Sequence, residues 1–138
     1  MKLSIILEAL EFTSETTEFY LDVSNNKTVF IDDLINTQEE KDNFYQMLEE
    51  GDFVSLPSQY EINEYKMMEN FISTVKDDFI KVKLKQAISG KGAFRYFQDL
   101  VFTMGIREDW FKFKNDAYKK CAIKFCINNG LEYDDDVK

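Results

Sequence analysis

The 138-residue sequence predicts an α+β domain: a small three-stranded antiparallel sheet near the N-terminus with one helix interspersed, then a C-terminal layer of about four helices. Three observations predict it. Short β-rich runs at residues 19–23, 28–31 and 53–56 are confined to the first half of the chain. From Ile62 onward, apolar residues recur at spacings of three and four. Gly51, Gly90, Gly105 and Gly130 each fall where such a helical run stops.

Taken in order, Leu3, Ile6, Leu7 and Leu10 stand at helical spacing, so a short helix opens the chain, and residues 13–17 break it. Residues 24–27, Ser-Asn-Asn-Lys, read as a hairpin turn between the first two strands, because Asn tolerates positive φ. Leu21 and Val23 belong on one face of the sheet, Tyr20 and Asp22 on the other. Asp32 and Asp33 end the second strand as a solvated turn. Thr37 and Glu40 have the spacing of a capping box, so a helix starts there and carries Phe44, Met47 and Leu48 up to Gly51. The third strand stops at Pro57, the only proline. Ile62, Tyr65, Met68, Ile72 and Val75 then mark one helical stripe. Asp77 is an N-cap for the next helix, which buries Ile80, Leu84, Ala87 and Ile88 and sets Lys81, Lys83 and Lys85 elsewhere on its surface. The last and longest helix begins at Glu108 or Asp109 with the stripe Trp110, Phe113, Ala117, Cys121 and Phe125. Its other faces carry Lys112, Lys114, Lys119, Lys120 and Lys124. Residues 133–136 read as a frayed acidic tail. The expected organisation is a single domain, with a strand-containing acidic part at 1–57, a helical part with a basic surface at 58–130 and the tail at 131–138.

The most tightly specified stretch is residues 89–99, Ser-Gly-Lys-Gly-Ala-Phe-Arg-Tyr-Phe-Gln-Asp. Gly90 is read as a helix cap with positive φ, and Gly92 as an unobstructed backbone position before the next helix. Phe94, Phe97, Val101 and Met104 follow at helical spacing. The result is a helix, a Gly-Lys-Gly turn and a helix. Free N–H groups at Gly92 and Ala93, with Lys91 above them, Arg95 one turn in, and Lys83 and Lys85 on the preceding helix, make a candidate anion site. The competing reading is a packing corner in which the glycines only permit close approach.

The same stretch carries a resemblance. Residues 90–95 followed by Phe97 and Asp99, the upstream Leu56-Pro57-Ser58 and Tyr60 to Tyr65, and the downstream Trp110, Ala117-Tyr118, Ala122, Cys126 and Asn129-Gly130 together resemble the bacterial uncharacterised protein family 0158. The likeness extends over nearly the whole chain, from Leu3 and Tyr20-Leu21-Asp22 onward. It departs where Phe125 stands for a tryptophan, Gln98 for a lysine and Asn25-Asn26 for a Thr-Gly turn. The resemblance implies the fold, with Gly90, Phe94, Phe97 and Trp110 as its structural motif. It implies no activity.

Composition bounds function. The sequence contains no histidine, which removes the commonest general base and metal ligand. Cys121 and Cys126 sit about 140° apart around a helix, so they read as small buried hydrophobes that do not pair. An enzyme would need carboxylates, a lysine or a bound metal. Asp32 and Asp33, Asp77 and Asp78, and Asp134 to Asp136 all stand where turns, caps or tails use acids anyway. No catalytic residue, metal ligand or cofactor site is assigned. No apolar run approaches a membrane span, and Glu8 and Glu11 interrupt the N-terminal apolar stretch, so a cytoplasmic protein is expected.

The net charge of −9 is unevenly distributed: residues 1–78 carry −13, residues 79–124 carry +7 and residues 125–138 carry −3. This points to a binding or regulatory module whose basic C-terminal helices engage an acidic partner, protein or nucleic acid. The alternative reverses the charge logic: an inhibitor or antitoxin-like protein whose acidic N-terminal half occupies a basic site on a nucleic-acid-handling protein.

Overall fold

A computed structural model describes residues 1–137. The chain separates into two compact units, one of Met1–Ile62 with the residues from Tyr118 onward, the other of Asn63–Ala117. The first contains α1 (Leu3–Phe12), β1 (Thr17–Asp22), β2 (Lys27–Asp32), α2 (Gln38–Glu50), β3 (Phe53–Ser55) and α3 (Gln59–Ile62). The second contains α4 (Glu64–Thr74), α5 (Asp78–Ala87) and α6 (Ala93–Thr103). The long helix α7 (Arg107–Asn128) starts in the second unit and ends in the first. The α+β class and the three-stranded antiparallel sheet follow the pattern of the sequence.

In the first unit the strand order is β2-β1-β3, with β1 central and antiparallel to both neighbours. Helices lie on both faces of this sheet. Phe19 and Phe30 stack at 5.0 Å on the face that meets α1. Tyr20 packs on Phe44 of α2 at 5.8 Å on the other face, and the Tyr45 hydroxyl donates to Glu18 there. That hydrogen bond to a carboxylate pushes the Tyr45 phenol up to about 12. The tight turn between β1 and β2 is built locally. Asp22, buried, accepts from the backbone and side-chain nitrogens of Asn25, and Asn26 takes the left-handed conformation at φ 52°. Both halves of the Thr37–Glu40 capping box form. The backbone N–H of Thr37 donates to the Glu40 carboxylate and holds it below its usual range. Gly51 closes α2 in extended backbone rather than left-handed. Its need for glycine is space, because a Cβ there would lie 2.4 Å from the Phe53 ring.

The acidic tail is tied down, not frayed. Lys2 and Asp134 form a parallel β-bridge, with Leu3 N–H donating to the Asp134 carbonyl at 2.9 Å and Asp134 N–H to that of Met1 at 2.8 Å. Asp136 accepts from both the backbone N–H and the hydroxyl of Ser4. The physical reason is an orphaned helix start. Lys2 precedes α1 and supplies no side-chain cap, so a carboxylate distant in sequence satisfies the exposed donor. Asp135 pairs with Lys119 at 2.9 Å, and Lys119 also donates to the Val137 carbonyl. The Ser4 hydroxyl holds Asp136, and the Lys119 ammonium holds Asp135, below the ordinary carboxylate value. Because these folded-state values are depressed, their contribution is complete above the unfolded value near 3.9 and is lost as pH falls through the lower folded values. Asp136→Asn should therefore be less stable than the native chain at neutral pH, with the gap closing below about pH 4 as the native carboxylate protonates. Urea midpoints measured across that range check it.

In the second unit a cluster of rings forms the core. Trp110 and Phe97 are fully buried at 4.8 Å, Phe71 lies 5.4 Å from Trp110 and 6.2 Å from Phe97, and Phe113 stacks 6.5 Å from Trp110. Asn63, in left-handed backbone at φ 54°, separates Ile62, the last residue of the short α3, from the rest of the predicted stripe and caps α4 by accepting from Lys66 N–H. Asp77 caps α5 by accepting from Phe79 and Ile80 N–H groups. The predicted stripe of α6 holds for Phe97 and Val101, whereas Phe94, in the first turn, is half exposed.

Gly90 requires a correction. It is not left-handed: α5 ends at Ile88 in ordinary backbone at φ −92°, and a Cβ on Gly90 would meet nothing within 4 Å. The left-handed glycine is Gly92, at φ 74°, which is the N-cap of α6. Both glycines satisfy the sequence pattern, but only Gly92 sits where the backbone reverses into α6. Along α7 the predicted stripe is also revised. Trp110 and Phe125 are buried, but in the first unit the buried set is Tyr118, Ala122, Phe125 and Cys126, with Cys121 only partly covered.

Candidate functional site

The α5–α6 hairpin concentrates unbalanced positive charge. Between Phe79 and Gln98 the sequence has Lys81, Lys83, Lys85, Lys91 and Arg95 and no acidic residue. Elsewhere, three lysines are met by carboxylates: Lys41 by Asp33 at 3.2 Å, Lys114 by Glu64 at 2.9 Å and Lys119 by Asp135 at 2.9 Å. No such ion pair engages the five hairpin cations among the described residues.

The helix period divides the α5 lysines. Lys81 and Lys85, four residues apart, line a groove of about 400 Å³ with Tyr65, Glu69, Ser73 and Ile88. The Tyr65 hydroxyl donates to the Ile88 carbonyl at 2.8 Å and fixes the end of this groove. Lys83 is on another side of α5, its ammonium 5.6 Å from the centre of the exposed Phe79 ring. Lys91 and Arg95 are both exposed around the Gly92 turn. No side chain caps the start of α6, so its first N–H groups remain available as donors. Three exposed rings, Phe79, Phe94 and Tyr96, belong to the same stretch of chain as these cations. Lys91 and Arg95 thus flank Gly92 on one exposed turn, Lys85 lines a groove with Lys81, and Lys83 lies against Phe79. Sequence reasoning passed over Lys81, Tyr65 and Glu69 as groove residues; the four-residue spacing of Lys81 and Lys85 was the signal that could have found them.

The lysines of α7 differ in their surroundings. Lys114 and Lys119 are neutralised, and Lys112 lines a groove of about 540 Å³ beside Asp77, Asp109 and Asp116. The paired acids named as candidate carboxylate sites are engaged structurally: Asp32 accepts from Leu34 N–H, Asp77 caps α5, and Asp135 and Asp136 hold the tail. No group of three His, Cys, Asp or Glu side chains among the described residues is arranged to hold a metal ion. Burial pushes both the Cys121 and the Cys126 thiol up, which keeps them protonated and poorly nucleophilic. No described helix is long and apolar enough to cross a membrane.

Compared with known proteins, residues 1–135 match the model of the Uncharacterised protein family (UPF0158). No curated protein and no solved structure matches the chain.

Proposed function

The chain belongs to that uncharacterised family, and since its description names no activity, we infer from the residues themselves a non-enzymatic binding module whose α5–α6 hairpin engages a polyanionic partner. The observation that carries this reading is the run of five cations without a carboxylate between Phe79 and Gln98. It is supported by the uncapped start of α6 beside Lys91 and Arg95, where oriented N–H groups favour an anion.

Charge also limits the mode of binding. The second unit has ten bases against eight acids, net +2, while the first has seven against eighteen, net −11. At physiological salt, screening over about 8 Å confines the hairpin's attraction to close range. Binding is then local and contact-driven rather than steered from a distance. The exposed Phe79, Phe94 and Tyr96 favour a ligand with free base faces, so single-stranded nucleic acid should bind more tightly than duplex.

The test is a salt-titrated binding assay with single-stranded and duplex oligonucleotides and a polyglutamate peptide. Lys91→Ala/Arg95→Ala should weaken binding similarly for all base sequences and reduce the salt slope by about 1.4 for single strands, about 0.7 for each lost phosphate contact. Absence of binding to all three polyanions at low salt would reject the reading and leave the hairpin a packing corner.

A further inference from the structure

We propose that the outer edge of β2, with the apolar groove beside it, is the docking site for an extended peptide segment of a partner protein in which apolar and basic side chains alternate. The proposal is independent of the α5–α6 reading.

The edge follows from the hydrogen-bond alternation of the sheet. Val23 N–H donates to the Asp52 carbonyl, and the Phe19 carbonyl accepts from Leu56 N–H, so the odd-numbered positions of β1 face β3. The even-numbered ones, Glu18, Tyr20 and Asp22, therefore face β2 and pair with Ile31, Val29 and Lys27. Thr28, Phe30 and Asp32 must then direct their backbone groups away from β1. Those of Asp32 are already used: its N–H donates to the Asn36 side chain at 2.8 Å and its carbonyl accepts from Ile35 and Asn36. Thr28 and Phe30 leave two N–H and two C=O groups on an edge that no other strand among the described residues covers.

The side chains of the same two residues line a groove of about 580 Å³ with Ile5, Phe12 and Phe19. Phe30 is 56% and Phe12 69% exposed, a degree of exposure for adjacent large rings that a solitary surface would disfavour. An added strand would satisfy the four open backbone groups and place every second side chain over these rings. Charge selects the occupant. Glu8 and Asp32 line the groove within a unit of net −11, and the only base on β2, Lys27, stands at its first position. A second copy paired through the same edge would bring two such acidic units together, whereas lysine or arginine residues flanking the apolar positions complement them.

The experiment uses the full chain, labelled for amide exchange, and three capped peptides: one alternating lysine with valine and phenylalanine, one with glutamate in place of lysine, and one with the lysine pattern and central prolines. The lysine peptide should slow exchange at Thr28 and Phe30. The glutamate peptide should not, and the proline peptide should bind at least about tenfold more weakly because it cannot complete the ladder. Thr28→Pro, which removes an outward N–H from an edge strand, should lower affinity without loss of the folded signal; Phe30→Lys, which repels the cationic peptide, supplies a second variant should proline disturb the strand. Equal binding of the proline peptide, no protection at any peptide concentration, or protection that rises with protein concentration alone would each overturn the proposal, the last by assigning the edge to a second copy.

Discussion

Trp110→Ala is expected to destabilise the protein by about 3–5 kcal/mol, a large part of the 5–15 kcal/mol that a domain usually holds. Trp110 is fully buried and contacts Phe71, Phe97 and Phe113, so truncation opens a cavity against three rings that cannot all collapse into it. Each lost ring pair adds about 0.5–1.5 kcal/mol beyond the area effect. The indole carries a cost of its own, because its Nε1–H is buried with no acceptor among the described residues. Trp110→Phe removes that orphaned donor while keeping most of the apolar volume, and should therefore lose less than about 2 kcal/mol. Urea unfolding followed by circular dichroism, which does not depend on the indole, distinguishes the two variants. An alanine variant with the native midpoint would mean that the ring cluster does not carry the stability of the Asn63–Ala117 unit.

Gly92→Ala should cost about 1–2 kcal/mol, while Gly90→Ala should be neutral or stabilise by up to about 1 kcal/mol. Gly92 holds φ 74°, a region that crowds an L side chain, and a Cβ there would press to 3.2 Å on the Tyr96 ring. At Gly90 the backbone is ordinary and the space open, so alanine only reduces the freedom of the unfolded chain. Asn at position 92 should recover part of the loss, since Asn is the side chain best suited to left-handed backbone. Thermal melts of the three variants suffice. A greater loss at position 90 than at 92 would return the cap to Gly90.

Local rules explain what was legible along the chain. Thr37 with Glu40, Asp77 with Phe79 and Ile80, and the Asn26 turn all act between residues two to four apart, so their partners are adjacent in the sequence. The candidate site was legible in composition, as a run of cations around Gly-Lys-Gly. It was not legible as a surface. Whether Lys81, Lys83 and Lys85 act together depends on which side of α5 meets α4, and the outcome separates Lys83 from the other two.

Thus the amino-acid order by itself determined the α+β class, the three strands and the main helices, the Thr37 and Asp77 caps and the charge imbalance between the halves. These arise from periodicity, propensity and count. Tertiary structure alone decided that Asp136 accepts from Ser4 across 132 positions, that Gly92 rather than Gly90 is left-handed, and that β2 presents an open edge. Each of these depends on an unsatisfied backbone group or on the space beside it. A donor at the start of α1 identifies no acceptor until the chain has folded far enough to bring one within hydrogen-bonding distance.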